Sequence, residues 1–291
     1  MRTMVHLRGP ALPHQQRPEL AEIYPDGFDS LGYFTVWLPS DDPRIVRIQH
    51  WLEVRNYRAW NKWTPRIRDV EYDLTLVRKY DDADYDRAEY LELSPDISDH
   101  TISDVDRDEH GRLRLRRKSV KSSKLDFGRA VLGYIVVPER VKTILEAQDL
   151  KHLAFKPTVA VKGIGLAEER CTPMSWESVG IPPWWELTSD LTLPPLSPSM
   201  DLRDDLGNHV TREDAAMGCV PKDGFYNHPE LHYRRADLAQ AERFDVARTF
   251  ESFGPRSPIQ RPSIIVSQRF YQTCARHGLK TEWVPVRVDE D

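Results

Sequence analysis

Apolar residues occur along the chain in short runs, some alternating with polar residues and some spaced three or four positions apart. Alternation is typical of strands, and the wider spacing is typical of helices. Runs rich in aromatic and β-branched residues predict strands at Tyr33–Leu38, Glu71–Tyr80 and Ala88–Leu93. Between the first two runs, the spacing of Ile45, Ile48 and Leu52 predicts the buried face of a helix.

Residues 1–30 interrupt this pattern, because prolines and polar side chains are frequent in them. Proline removes a backbone donor, so such a segment is disfavoured inside a sheet. We therefore expect residues 1–30 to wrap around the surface of the protein.

Charge is segregated between residues 81 and 124. Asp81–Glu109 contains twelve acidic residues and two arginines, whereas Arg112–Lys124 contains seven basic residues and no acidic one. Asp108–Gly111, at the switch, is a turn signal. The pattern predicts an exposed hairpin whose acidic arm faces its basic arm, with Leu113 and Leu115 on the other side. An electrostatic docking site for a partner is the alternative.

The second half of the chain contains one pattern twice, about 129 residues apart. The first copy spans Tyr134–Pro157 and the second spans Ser263–Pro285. Each copy has an apolar run, a stretch with helical apolar spacing, and an aromatic residue shortly before a proline. This order predicts a strand buried on both faces, a helix and a second strand. Cys274 would then be a core thiol on the inner face of the second helix.

These patterns together predict an α+β (mixed α/β) fold, in which two duplicated strand–helix–strand units pack with additional N-terminal strands and one helix. Residues 1–124 are expected to form an N-terminal α+β region with the charged hairpin. Residues 125–291 are expected to form the duplicated region, and one compact domain containing both regions is the alternative. A duplicated pair of this kind predicts a passive platform, without a deep cleft of converging ionisable groups at the junction.

The segment between the two copies is rich in proline and tryptophan. Six prolines between Pro173 and Pro198 argue against a long helix or a central strand there. The segment also holds Trp176, Trp184 and Trp185. Tryptophans in a stiff extended segment suit either a binding surface or a strap packed over the core.

The composition is that of a soluble globular protein, with 40% hydrophobic and 30% charged residues. A formal net charge of −5 argues against general nucleic-acid binding. No apolar window is long enough to cross a membrane, and the N-terminus lacks the apolar core of a secretory signal. The three cysteines, Cys171, Cys219 and Cys274, lie far apart, which fits a reducing compartment. We therefore expect a cytoplasmic protein with no nucleic-acid or membrane partner.

A loose metal-binding pattern is formed by Cys219, His228 and His232. The two histidines are four positions apart, so a helix would present them on one face, and the cysteine could add a thiolate. Pro229 interrupts the pattern, and hydrogen-bonded histidines are the default interpretation. A hydrolase or metal-dependent enzyme built on this region is the alternative function. The sequence has no phosphate loop, nucleophile elbow or zinc-helix motif, so no catalytic residue and no cofactor are predicted.

The closing part of the chain resembles a known module over about residues 244–288. It has an Asp-x-x-Arg start at Asp245, an apolar strand, a Ser-x-Arg-Phe helix opening at Ser267 and a Gly-Leu pair at Gly278 before the closing strand. This order resembles the C-terminal module of polymorphic-toxin immunity proteins, especially the myxobacterial double CxxCG group and its relatives. Both CxxCG elements are absent here, so the resemblance does not imply a zinc ribbon.

The resemblance implies a bacterial protein without enzymatic activity that binds and neutralises a cognate protein toxin in the cytoplasm. Such binding needs a rigid surface with aromatic anchors and charged steering groups. The partner-binding residues that we expect are Trp184, Trp185, Asp99, Asp104, Asp106, Asp108 and Glu109. A nucleic-acid binder acting through Arg112–Lys124 is a further alternative, and steep salt dependence would be its signature.

Overall fold

The computed structural model describes residues 2–25, 27, 33–59, 71–95, 101–130, 133–162, 172–200, 202–203, 220–221, 230–253 and 261–290. The chain divides into two compact units, one of residues 1–84 with 222–229 and one of residues 85–221 with 230–291. Helices and sheets occur in both, so the predicted α+β fold class is confirmed. In the described part of the chain, no helix is long and apolar enough to cross a membrane.

The first unit is a four-stranded sheet with accompanying helices. Its elements are β1 (Arg2–Ala11), α1 (Arg17–Ala21), β2 (Tyr33–Pro39), α2 (Arg44–Val54), β3 (Arg58–Ala59) and β4 (Glu71–Lys79). The strand order is β2-β1-β4-β3; β3 is parallel to β4, and the other pairs are antiparallel. The helix predicted from Ile45, Ile48 and Leu52 is α2, and all three side chains are buried. A short helix, α3 (Asp82–Arg87), follows β4.

Residues 2–11 do not wrap the surface, as the sequence had suggested, but form the strand β1 between β2 and β4. Val5 and Leu7 on this strand are buried in the core of the first unit. Pro10 lies near the far end of β1, and residues 2–8 contain no proline. Those residues therefore keep the backbone donors that pairing on both sides requires.

The second unit contains the remaining elements. The elements before residue 135 are β5 (Tyr90–Leu93), β6 (Thr101–Ile102), β7 (Asp104–Arg107), β8 (Leu113–Arg116), α4 (Arg117–Ser122) and β9 (Gly128–Ala130). The next are β10 (Ile135–Pro138), α5 (Glu139–Glu146), β11 (Leu153–Lys162), β12 (Thr172–Met174), α6 (Trp176–Val179) and β13 (Trp184–Ser189). The last are β14 (Leu202–Arg203), β15 (Val220–Pro221), β16 (His232–Arg234), α7 (Arg235–Leu238), β17 (Val246–Phe253), β18 (Arg261–Ser267), α8 (Gln268–Arg276) and β19 (Trp283–Asp289).

Two principal sheets organise this unit. One has the order β6-β9-β10-β13-β11-β8-β7, with β12 on β11, and the other has the order β16-β19-β5-β18-β17. In each sheet, two strands joined by a helix lie on either side of one antiparallel strand: β10 and β11 flank β13, and β18 and β19 flank β5. We name β8–β11 with β13 the first module, and β16–β19 with β5 the second module.

The two modules share one strand register at the positions that the sequence relates. Ile135 lies opposite Leu187 in the first module, and Ile264 lies opposite Leu93 in the second. The correspondence between the modules also includes the next strand of each sheet. β8 pairs in parallel with β11 as β16 pairs in parallel with β19, and a helix follows both β8 and β16. Common descent by duplication stays a prediction, which these matching registers favour.

The helices of both modules contribute to one hydrophobic cluster. Val141 and Leu145 on α5 belong to it, together with Phe270 and Cys274 on α8 and Trp283 on β19. The predicted core position of Cys274 is confirmed, and burial raises the pKa of its thiol to about 12.

The proline-rich segment contains a central strand, so that part of the sequence prediction is wrong. β13 pairs with β10 on one side and with β11 on the other. Prolines flank β13 at Pro183 and Pro194, but the strand itself contains none. All of its backbone donors are therefore available for pairing.

β7 and β8 form a hairpin around the turn that the sequence predicts. Leu113 and Leu115 on β8 are fully buried, as predicted. The basic arm is less exposed than expected, because β8 also pairs with β11. This pairing, and that of β5 with β18 and β19, assigns residues 85–124 to the second unit, whereas the sequence suggested a boundary at residue 124.

Candidate functional sites

A cavity of about 200 Å³ is lined by residues from the sheets of both modules. The charged residues in its lining are Glu92, Arg107, Arg129, Lys156, Glu186, Arg248 and Arg261. Among the described residues, the lining therefore holds five cations and two carboxylates. A passive platform was expected to have no such junction of ionisable groups, so this cavity, which we name the junction cavity, departs from that expectation.

Two glutamates at equivalent positions of the central strands line the junction cavity. Glu92 is 3% exposed and Glu186 is 4% exposed. Oε1 of Glu92 accepts a hydrogen bond from Oγ of Ser263 at 2.7 Å, and Oε1 of Glu186 accepts one from Nη2 of Arg107 at 2.8 Å. Within the described residues, Oε2 of each glutamate is buried without a hydrogen-bond partner. An unpartnered buried carboxylate oxygen is unfavourable, and both of these oxygens are closed off from solvent.

Arg129 and Arg248 also occupy equivalent positions, since each lies opposite the isoleucine that begins the apolar run of its module. Nη2 of Arg248 donates to Oγ1 of Thr192 at 3.2 Å. Its Nε is buried and has no hydrogen-bond partner among the residues that the structure describes. Each module thus contributes one arginine to the cavity from the same place in its sheet.

Tyr134 is in contact with two further arginines of the cavity. The guanidinium carbon of Arg107 lies 4.3 Å from the centre of the tyrosine ring, and that of Arg261 lies 4.4 Å from it. Such contacts favour the charged guanidinium over the ring face. Burial alone would lower the pKa of Arg107, but hydrogen bonds to Glu186 and Tyr134 outweigh burial and raise it. Arg107 is therefore a permanent cation.

Reciprocal hydrogen bonds fix the two modules on either side of this cavity. The carboxylate of Asp126 in the first module accepts from the backbone N of Lys280 in the second, at 2.7 Å. Conversely, the carboxylate of Asp245 in the second module accepts from the backbone N of Lys151 in the first, at 3.0 Å. Each aspartate also accepts from an arginine of its own module. Charge-assisted bonds of this kind are stronger than neutral ones, which suits a fixed junction.

A second charged site, which we name the basic groove, lies on the first module. It encloses about 660 Å³ and is lined by Arg116, Arg117, Lys118, Lys121, Ser122, Val161 and Lys162. Across the described ranges, no carboxylate pairs with Arg117, Lys118, Lys121 or Lys162. The sequence predicts that the acidic arm of the hairpin faces the basic run Arg112–Lys124, but Arg117, Lys118 and Lys121 of that run have no carboxylate partner of this kind.

The equivalent position in the second module carries ion pairs instead. Arg235 begins α7 as Arg117 begins α4, and its guanidinium lies 3.0 Å from Glu290 and 3.2 Å from Glu89. Glu290 follows β19 at the position that corresponds to Lys162. The fold therefore accommodates carboxylates at this place, and the uncompensated charge of the basic groove is not a requirement of the fold.

The two tryptophans predicted to bind a partner lie on β13. Trp184 is 4% exposed and belongs to a hydrophobic cluster of the first module. Trp185 is partly buried, donates from Nε1 to the carboxylate of Glu139, and has Nζ of Lys142 at 4.6 Å from its ring. Trp185 is thus the more accessible of the two, and contacts within its own module already hold its ring.

The predicted acidic residues differ in exposure. Asp104 is 3% exposed, and Asp108 is paired with Arg112 at 2.8 Å. The side chain of Glu109 is 86% exposed, so it is the one of these three that solvent reaches freely. Asp106 lies on β7 with its side chain outside the described part, and Asp99 lies outside the described residues.

The predicted metal site is only partly described. His232 lies on β16, where Nδ1 is 3.3 Å from Oγ of Ser199 and 3.9 Å from the carboxylate of Asp289. This agrees with the default interpretation of a hydrogen-bonded histidine. Cys219 and His228 lie outside the described residues, so the prediction of a metal site with His232 stays a prediction. Among the residues that are described, no group of three or more potential ligands is arranged to hold a metal ion.

Comparisons with family models, with curated proteins and with solved structures found no match.

Proposed function

We propose that the protein binds an acidic surface of a cognate protein toxin in the cytoplasm and neutralises it without catalysis. The observation that carries the proposal is the basic groove. Its residues Arg117, Lys118, Lys121 and Lys162 lack carboxylate partners among the described residues, although Arg235 is neutralised at the same place in the second module. The resemblance of residues 244–288 to immunity modules supports the choice of a toxin as the partner. The proposal moves the expected contact from Trp184 and the acidic residues to the basic arm of the charge-segregated region.

The residues that carry the resemblance contribute to the scaffold, which suits a protein that acts through its surface. Ser267 caps α8, because its Oγ accepts from the backbone N of Phe270 at 3.3 Å. Gly278 ends the helix with a positive φ of 62°. Asp245 joins the two modules through Lys151. A motif of this kind specifies the rigid scaffold, so residues on the binding surface can differ without changing the scaffold.

The basic groove has the properties of a steering surface. Lys118, Lys121 and Lys162 are exposed, and Arg117 is half-buried beside them. Exposed charges of one sign accelerate the encounter with a partner of the opposite sign and suppress wrong partners. We therefore expect the toxin to present a cluster of carboxylates to the groove.

The test is co-purification with the product of a neighbouring gene that encodes a toxin. The double variant Lys118→Glu and Lys121→Glu should weaken the complex at least about tenfold and abolish protection of a host that expresses the toxin. The matched control is Arg276→Glu, which reverses an exposed charge on α8 away from the groove and should leave binding unchanged. Equal loss in both variants, or full binding by the double variant, would contradict the proposal.

The nucleic-acid alternative gives a different result in the same preparation. If the groove serves nucleic acid, the unmodified protein binds it with an affinity that falls steeply with salt, and the double variant loses that binding. Binding of nucleic acid without binding of a toxin would replace the proposal made here.

A further inference from the structure

We propose that Arg117 is the residue of the basic groove that recognises the partner, and that the partner supplies it with a pair of carboxylates. That pair takes the place of the two glutamates that hold Arg235 in the second module. The inference rests on the proposed function and deepens it, because it names the chemistry that the partner presents to one guanidinium. The partner segment is therefore an acidic stretch of protein with two neighbouring carboxylates.

Arg117 and Arg235 occupy the same place in their modules. The last residue pair of β8 with β11 is followed by Arg117 on one strand and Lys162 on the other. The last pair of β16 with β19 is followed in the same way by Arg235 and Glu290. Each arginine also begins the short helix after its strand, α4 in the first module and α7 in the second. The second module thus shows which partners an arginine takes at this place.

Arg235 is held between two carboxylates of its own module. Nε donates to both carboxylate oxygens of Glu290, at 3.0 and 3.1 Å. Nη1 and Nη2 each donate to Oε2 of Glu89 at 3.2 Å. These hydrogen bonds to Glu290 and Glu89 raise the pKa of Arg235. Two carboxylates together therefore use all three nitrogens of one guanidinium, a geometry for which the planar fork of arginine is suited.

The first module has neither of these glutamates. Lys162 stands at the position of Glu290, and Pro183 directly precedes β13 as Glu89 directly precedes β5. Within the described ranges, the half-buried Arg117 consequently has no carboxylate partner, and Lys162 adds a like charge to the same groove. A carboxylate pair from outside removes this repulsion and restores the arrangement of the second module.

A carboxylate suits the groove better than a phosphate does, although an arginine can bind either. The carboxylates at Arg235 show that this strand and helix geometry places two of them on one guanidinium. The formal net charge of −5 opposes the approach of a long polyanion such as nucleic acid. A protein segment with two carboxylates needs only the local positive charge of the groove.

The test is fluorescence anisotropy of the full chain with a labelled hexaglutamate peptide at low salt, which needs no toxin. Hexaglutamine has the same backbone without the charges, and a single-stranded DNA of six nucleotides has phosphates in place of carboxylates. We expect hexaglutamate to bind saturably, more tightly than the DNA, and hexaglutamine not to bind.

The variant Arg117→Lys separates the guanidinium from its charge. Lysine keeps the charge but lacks the planar fork, so the variant should weaken hexaglutamate binding at least about threefold. Arg276→Lys makes the same change at an exposed arginine on α8 and should leave binding unchanged. Thermal unfolding of each variant shows that it is folded.

The variant Lys162→Glu supplies a carboxylate at the position of Glu290 and should occupy Arg117 from within the chain. It should weaken hexaglutamate binding about tenfold or more when Arg117 is present. In the background Arg117→Gln no guanidinium is left to occupy, so the factor should be at least about threefold smaller. Lys118→Glu makes the same change of charge at a helix position that does not face Arg117, so its factor should be equal in both backgrounds.

Four results would overturn the inference: absence of saturable hexaglutamate binding, tighter binding of the DNA, full binding by Arg117→Lys, or an equal effect of Lys162→Glu in both backgrounds. The same variants with the toxin separate this inference from the proposed function. Toxin binding that Lys118→Glu with Lys121→Glu abolishes, but Arg117→Lys leaves unchanged, would remove the inference and keep the proposed function. Absence of a toxin complex, with the expected hexaglutamate results, would remove the toxin and keep an acidic protein as the partner.

Discussion

Individual side chains in the second unit stabilise it mainly through the hydrogen bonds that they form with donors on neighbouring elements. Asp245 is the clearest example, since one carboxylate accepts from Ser267 Oγ at 2.7 Å, from Arg269 at 3.1 Å and from the backbone N of Lys151 at 3.0 Å. Its side chain is only 8% exposed, so water cannot replace these bonds easily.

We predict that Asp245→Ala lowers the free energy of unfolding by about 2–3 kcal/mol, because it removes three charge-assisted hydrogen bonds and leaves partly buried donors without a partner. Asp190→Ala is the control, since the Asp190 side chain is 75% exposed and pairs with His152 at the surface. The control should cost less than about 1 kcal/mol. Urea denaturation of both variants measures the difference, and equal costs would refute the assigned role of Asp245.

The sequence predicted residue roles well where burial alone decides them. Cys274 follows from helical spacing, and it is buried as expected. Glu92 and Glu186 were missed because each is a single charge within an apolar strand, and such a residue is ordinarily assigned to the solvent face. The available signal was that both occur one position before a leucine in strands of similar composition.

The equivalent helices α5 and α8 are both followed by a residue in the left-handed backbone conformation. Gly278 follows α8 with φ of 62°, and Asp149 occupies the corresponding place after α5 with φ of 49°. Glycine adopts this left-handed conformation without strain, whereas a side chain with a Cβ atom does not. Nothing lies within 4 Å of a Cβ atom built at Gly278, so space does not limit substitution there.

Gly278→Ala should therefore destabilise the protein by about 1 kcal/mol through backbone strain alone. The matched variant Asp149→Gly relieves the same conformation in the first module and should not destabilise it. Thermal unfolding of the two variants gives the comparison. A neutral Gly278→Ala would show that the turn relaxes to another conformation.

Elements with a clear hydrophobic periodicity were predictable, whereas the positions of strands that pair with segments distant in the sequence were not. α2, β5 and both strand–helix–strand segments follow from local pattern. β13 was not recognised as central because the surrounding prolines dominate the local signal, and its role comes from β10 and β11 on either side. The sequence similarity between Leu113-Arg-Leu-Arg-Arg and Leu231-His-Tyr-Arg-Arg indicates that the correspondence between the two modules begins before Tyr134 and Ser263.

On the scale of the whole molecule, sequence order and sheet order differ. The five-stranded sheet takes its central strand β5 from residues 90–93, ahead of the whole first module. Local periodicity contains no information on such long-range pairing, so neither the unit boundary near residue 84 nor the junction cavity could be predicted.

A truncation series tests this arrangement. A chain that starts at residue 85 keeps β5 and should retain both sheets of the second unit, whereas a chain that starts at residue 101 lacks β5 and should lose the five-stranded sheet. The expected readout is a cooperative unfolding transition for the first and its loss, with exposed apolar surface, for the second. Equal cooperativity of the two chains would contradict the role given to β5.

The early position of β5 has a consequence for synthesis on the ribosome. Leu93 is made 168 residues before Arg261, the first residue of its neighbour β18 (261 minus 93). At ~5–20 residues per second, β5 waits roughly 8–34 s for a partner. The strands of the first module all lie between residues 113 and 189, so that module can close while the ribosome is still working. During this interval the nascent chain therefore carries the unpaired apolar strand β5 beside a first module that has already folded. This is the stage of synthesis at which we expect binding of β5 by a chaperone to matter most.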